Sequence, residues 1–128
     1  MAAGAMFDSN IIIDALNKHQ PAFEAIQEFG ASGTVLSRVS WIEILAGAKP
    51  DHLLATEAYL RGCTIVELTP EIAARAAEVR RKTRLKLPDA IIWATAAITE
   101  RLLITRDTNF PAHWPGIHHP YAWLHNKE

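Results

Sequence analysis

A single cysteine, Cys63, in 128 residues leaves no partner for an intramolecular disulfide, and this fits a reducing compartment. The chain has no GxGxxG and no P-loop motif, so dinucleotide and nucleoside-triphosphate binding have no support. Long apolar runs are missing too. The most apolar stretch, Ala90 to Thr99, holds ten uncharged residues and stops at Glu100, well short of a membrane span. The opening MAAGAMF lacks a basic region, and Asp8 interrupts it before an export signal could form, so a cytoplasmic protein is expected. Met6 is as good a natural start as Met1. Neither sign of charge is in excess: 13 Lys and Arg against 14 Asp and Glu exclude a uniformly basic nucleic-acid binder but leave local patches open.

What is present reads as one globular domain over residues 1–128, with 49% hydrophobic and 21% charged residues. Short β-prone runs alternate with helical ones. The first run, Ala5 to Asp8, leads into a helix capped by Ser9 or Asn10 that ends before Pro21, and a second helix runs from Pro21 to Phe29. TVLS (34–37) is followed by the helical SRVSWIEILAG, and a helix from Asp51 to Arg61 precedes TIVEL (64–68). Thr69 with Pro70 starts another helix; Pro88 to Glu100 is the next, and LLIT (102–105) the last strand. Helices between strands imply crossovers, hence a small α/β/α sandwich with a mainly parallel central sheet. Ligand sites in such sheets lie beyond the carboxyl ends of the strands. Asp8 and Asp107 both fall there.

Two further acids invite the same reading. Glu43 sits inside WIEIL, where apolar neighbours predict burial that a carboxylate resists unless a cation or donors meet it; the alternative is an exposed face or a pair with Arg38 or Lys49. Asp89, in KLPDAIIWATA, can cap its helix beside Pro88 and also reach the strand ends. Carboxylates about 4 Å apart repel by roughly 4 kcal/mol at an effective dielectric near 20. Four together require divalent cations or shifted pKa values, and an all-oxygen site favours Mg²⁺ or Mn²⁺ over zinc.

The pieces FDSNIIIDAL, SWIEILAG, KLPDAIIWATA and LLITRDTNF, in this order, resemble a PIN domain of the VapC type, the toxin ribonucleases of bacterial toxin–antitoxin pairs. The resemblance runs from about Met6 to Tyr121. It implies a metal-dependent endoribonuclease with catalytic acids at Asp8, Glu43, Asp89 and Asp107, metal held by Asp8, Asp89 and Asp107, and supporting polar groups at Ser9, Asn10 and Thr105. It also implies an RNA substrate and a VapB-like antitoxin; a homodimer is expected as well. Where many relatives carry a second acid before the last Phe, this chain has Asn109, which could assist Asp107.

RRKTRLK, residues 80–86, places five cations in seven positions without an acid. Arg80, Arg81, Lys82, Arg84 and Lys86 are therefore candidates for phosphate contacts, as is Arg106, against the alternative of a solvated helix end. His113, His118, His119 and His125 lack helical spacing and a cysteine partner, which argues against zinc. Trp114, Tyr121 and Trp123 are expected to cover the sheet edge or a dimer face rather than to stack bases. Asp14 reads equally as a support for the site or as a surface residue. The rival function is a PIN-like module that binds RNA or protein without cutting; a receiver-like domain fits poorly, because Thr69 and Arg106 stand where its phosphoacceptor and lysine belong.

Overall fold

A computed structural model describes residues 4–123. His125 and the other terminal residues lie outside that range. Strand β1 (Ala5–Phe7) is wholly buried and runs straight into α1 (Ser9–Leu16). The cap of α1 is Asp8, not Ser9 or Asn10. Asp8 keeps an extended backbone and its Oδ1 accepts the Ser9 N–H at 2.7 Å, so the helix starts one residue early. Helix α2 (Gln20–Phe29) opens with proline in its first turn and closes at Gly30, where an added Cβ would come within 2.7 Å of the Ile26 carbonyl oxygen.

Strand β2 (Val35–Ser37) leads into α3 (Arg38–Ala46), capped by the buried Ser37 hydroxyl. A 3₁₀ turn over Pro50–His52 delays α4 (Leu53–Arg61) past the expected start at Asp51. Strand β3 (Thr64–Val66) stops two residues before the end of TIVEL, and α5 (Pro70–Lys82) begins behind the Thr69 cap. Helix α6 (Leu87–Ile98) and strand β4 (Leu102–Ile104) follow. The tail adds a short strand, β5 (Ile117–His118), that periodicity did not reveal.

All described pairings are parallel, as the crossovers require. One sheet has the order β1-β4-β5, with Met6 opposite Leu103 and Leu103 opposite Ile117; the other pairs β2 with β3. β1 lies beside β2, so the two sheets continue one layer without a hydrogen-bonded seam. Phe7, Ile11, Ile12, Leu36, Ile44 and Ile104 fill the core on the α1–α3 side. Met6, Ile92, Leu103 and Phe110 fill the α6 side. Burying side chains of this size stabilises by about 1.5–3 kcal/mol each relative to exposure. That leaves the strand ends fixed in a rigid frame. No helix among the described residues is long and apolar enough to cross a membrane.

Candidate active site

The carboxyl ends of β1 and β4 adjoin, because the Asp8 N–H donates to the Ile104 carbonyl at 2.9 Å. Chain direction alone therefore brings Asp8 beside Thr105, Arg106 and Asp107. The Thr105 hydroxyl, fully buried, donates to Asp8 Oδ2 at 2.8 Å and accepts the Asp107 N–H at 3.0 Å. Asn10 Nδ2 reaches Asp8 Oδ2 at 3.3 Å and Thr105 Oγ1 at 3.4 Å. Asn10 Oδ1 accepts the Arg106 backbone N–H at 3.4 Å. Asp107 Oδ1 in turn accepts the Asn109 N–H at 2.9 Å, an Asx-type turn that shapes the loop.

Glu43 arrives from α3. The WIEIL segment is less buried than its composition predicts: Ile44 faces the core, Ile42 is exposed, and Glu43 is half-buried. Its Oε1 accepts the Ser9 hydroxyl at 2.7 Å. Arg38 pairs with Glu67 instead. Asp89 arrives from the first turn of α6, where Lys86 occupies the cap position and no side chain supplies a capping bond. The expected capping role of Asp89 is not realised: the cap position falls three residues earlier, and Asp89 makes no capping bond.

Electrostatics link these groups. Burial raises the Asp8 carboxyl to about 7; the Thr105 hydrogen bond opposes this, while Asp89 and Glu43 add repulsion. Asp89 is pushed up to about 6, first by desolvation and then by Asp107 and Glu43, with Lys86 opposing. Asp8 and Asp89 thus each feel two other acids of the set. Among the described residues, however, no three His, Cys, Asp or Glu side chains close into a metal-binding cluster.

The cationic candidates divide. Arg80 Nη1 donates to the Leu85 carbonyl at 2.9 Å and Lys82 bonds Glu78 at 3.1 Å, so both take part in the end of α5. Arg81 is exposed. Arg84 and Lys86 line a cleft that also contains Asp89, Asn109 and Trp114. Arg106 turns away from that cleft: its Nε and Nη2 grip Asp14 at 2.7 and 3.1 Å, and its guanidinium lies 3.9 Å from the Trp123 ring centroid. Tyr121 donates to Asp14 Oδ2 at 2.7 Å. Asp14, 3% exposed, is therefore the hub of a buried network, a role its sequence position left undecided. Trp114 stacks on Trp93, with centroids 4.7 Å apart, and packs against the core cluster that contains Phe110 and Ile117 of the edge strand β5.

A family model described as PIN domain matches residues 5–113. A toxin–antitoxin complex from Klebsiella pneumoniae contains a chain 36% identical to this one, with TM-score 0.85, over 93% of this chain and 99% of that one. VapBC2 from Rickettsia felis, bound to a DNA fragment from its promoter, shares the fold at 17% identity and TM-score 0.73, over 88% of this chain and 94% of that one. FitAcB from Neisseria gonorrhoeae shares it at 19% identity and TM-score 0.74, over 91% and 97% respectively. No curated protein matches the chain significantly by sequence. The match spans β1 to β4 and all four sequence pieces, and the chain belongs to the PIN domain family.

Proposed function

We propose that this chain, acting as a single domain, is a metal-dependent endoribonuclease and the toxin of a toxin–antitoxin pair. The observation that carries this reading is the arrival of Asp8, Glu43, Asp89 and Asp107 from four separate segments, with the Asp8 and Asp89 carboxyls raised by burial and by the other acids. PIN domains are in general nucleases that use divalent metals, and structural relatives of this chain come from toxin–antitoxin complexes.

The donor set fits a hard cation. Every convergent group is an oxygen donor, and a divalent charge would relieve the repulsion that raises Asp8 and Asp89. Asp8, Asp89 and Asp107 would hold Mg²⁺ or Mn²⁺, with Asn109 beside Asp107. Bound there, the cation supplies an activated water and neutralises charge developing on a phosphodiester. The chain's own groups do the positioning. Thr105 and Asn10 fix Asp8, and Ser9 orients Glu43 to accept a proton from the attacking water. Acting in the cytoplasm, such an enzyme requires restraint by a VapB-like antitoxin. A groove lined by Ile13, Leu16, Ile44, Ala48 and Ala55 between α1, α3 and α4 suits an amphipathic helix, and the acids suit an inserted arginine. Homodimerisation belongs to the same proposal. Cleavage of a mixed RNA pool with Mg²⁺ or Mn²⁺, set against chelator, tests the reading; no metal-dependent cleavage by the free chain would sink it.

One observation favours the rival, a PIN-like module that binds without cutting: no three acids close into a ligand set among the described residues. Metal titration separates the two. Saturable binding of Mg²⁺ or Mn²⁺ that is lost in Asp89→Asn supports the enzyme, and its absence supports the module.

A further inference from the structure

Beside the acids the chemistry of the surface changes sign. The cleft that shares Asp89 with them, about 440 Å³ in volume, is otherwise walled by Thr83, Arg84, Leu85, Lys86, Asn109 and Trp114. Its two cations are placed by the backbone. Thr83 is extended at φ −135°, ψ 179° and Lys86 at φ −69°, ψ 161°, while Leu85 between them is buried. Arg84 and Lys86 flank Leu85 in this segment, and all three line the cleft. The segment is also pinned. The Thr83 hydroxyl donates to the Val79 carbonyl at 2.8 Å and accepts the Leu85 N–H at 3.2 Å, and Arg80 holds the Leu85 carbonyl. Both cations are exposed, and among the described residues neither is in an ion pair.

Across the cleft, Trp114 is braced on one side by Trp93, whose indole N–H donates to the Pro115 carbonyl at 3.3 Å. Trp93 also meets Phe110, a fully buried ring, edge-on. An aromatic platform so supported costs little further ordering on binding. Asn109 has its N–H engaged by Asp107, which leaves its amide side chain at the cleft with donors and an acceptor.

We propose that this cleft is a nucleotide subsite, taking one unpaired nucleotide of the RNA next to the scissile bond, its base against Trp114 and its phosphate against Arg84 and Lys86. The proposal rests on the nuclease reading above and adds to it where the strand lies. An aromatic platform with a cationic rim is the arrangement that holds single strands with little regard to sequence, and the volume falls within the range of small-molecule sites. Asn109 would supply whatever preference among bases the site has. Arg80, Lys82 and Arg106, engaged elsewhere, take no part.

The test is binding of a labelled single-stranded RNA of mixed sequence in chelator, where nothing is cut, with cleavage of the same RNA in Mg²⁺ measured alongside. Arg84→Ala with Lys86→Ala should lower the magnitude of the salt slope of binding by about 1.4, roughly 0.7 for each lost contact. Trp114→Leu should weaken binding roughly tenfold, and Trp114→Phe should restore most of it. The two surface substitutions leave the core untouched, so they decide the matter even if Trp114→Leu fails to fold. A duplex of the same sequence should compete poorly. Wild-type cleavage together with unchanged binding and salt slope in the Arg84/Lys86 variant overturns the subsite alone. Equal binding of duplex overturns it too. A wild-type chain that neither binds nor cuts RNA overturns the subsite and the nuclease reading together.

Discussion

Thr105 and Asp8 are 97 positions apart in the chain, yet the Thr105 hydroxyl donates to Asp8 Oδ2 at 2.8 Å while accepting the Asp107 N–H. One oxygen thereby sets the ionisation of one acid and the loop position of another. Thr105→Val keeps the shape and removes both bonds. Losing them should cost about 1–3 kcal/mol in thermal unfolding. Because the Thr105 bond favours the charged form of Asp8, its loss should also move the acidic limb of the cleavage–pH profile upward. An unmoved limb would show that Thr105 is a packing residue only.

Asp89→Asn should abolish metal-dependent cleavage while leaving the metal-free protein at least as stable as wild type. The side chain supplies no cap, and its charge is disfavoured by desolvation, Asp107 and Glu43. Thermal unfolding in chelator is the check. A variant that unfolds several degrees lower would mean that the carboxylate has a structural duty.

Acid should stabilise the metal-free chain. Asp8 is raised from 3.8 to about 7, so between those values the native state binds the proton that the unfolded state has released. The contribution is fully present below about pH 4 and is lost as pH rises through 7. It amounts to roughly 1–4 kcal/mol at most, so in chelator the Tm should be several degrees lower at pH 8 than at pH 5.5. Divalent ions should reverse the trend, since they compete with these protons. A flat or rising profile in chelator would contradict the repulsion inferred at Asp8.

Asp14→Asn should be among the costliest single-atom changes in the chain. It leaves the partly buried Arg106 without its counter-charge, which typically costs about 3–5 kcal/mol. Tyr121→Phe removes only a donor and should cost about 1–2 kcal/mol. Because both side chains meet at Asp14 Oδ2, the double variant should be less destabilised than the sum of the two. Denaturant unfolding of the four-member cycle measures this.

Legibility in the sequence follows the range of the forces involved. Pro70 behind Thr69, Gly30 after Phe29 and the β-branched runs act locally, and the elements they announce are present. Asp8 and Asp107 were readable because crossovers between parallel strands place the strands' carboxyl ends on one edge, whatever the side chains do. β5 was not readable: two residues carry no periodicity, and Ile117 pairs with Leu103 only because the tail loops back across the sheet. The fate of Arg106 was equally hidden. Nothing within several residues of it announces a partner, since Asp14 lies 92 positions away. The basic run looked uniform, but an extended break at Thr83 separates cations engaged by α5 from those at the cleft.

The pairing of β1 with β4 has a consequence for the order of events when the chain is made. β1 comprises residues 5–7, and the strand that completes its edge, 102–104, arrives almost a hundred residues later, with β5 later still. Contacts so far apart in sequence form slowly, and a partial chain cannot form them at all. While only the first hundred residues exist, Asp8 lacks Thr105, Asp107 is absent and Asp14 has neither Arg106 nor Tyr121. The acidic cleft therefore assembles late, and a nascent or truncated chain carries its first carboxylate without the means to use it.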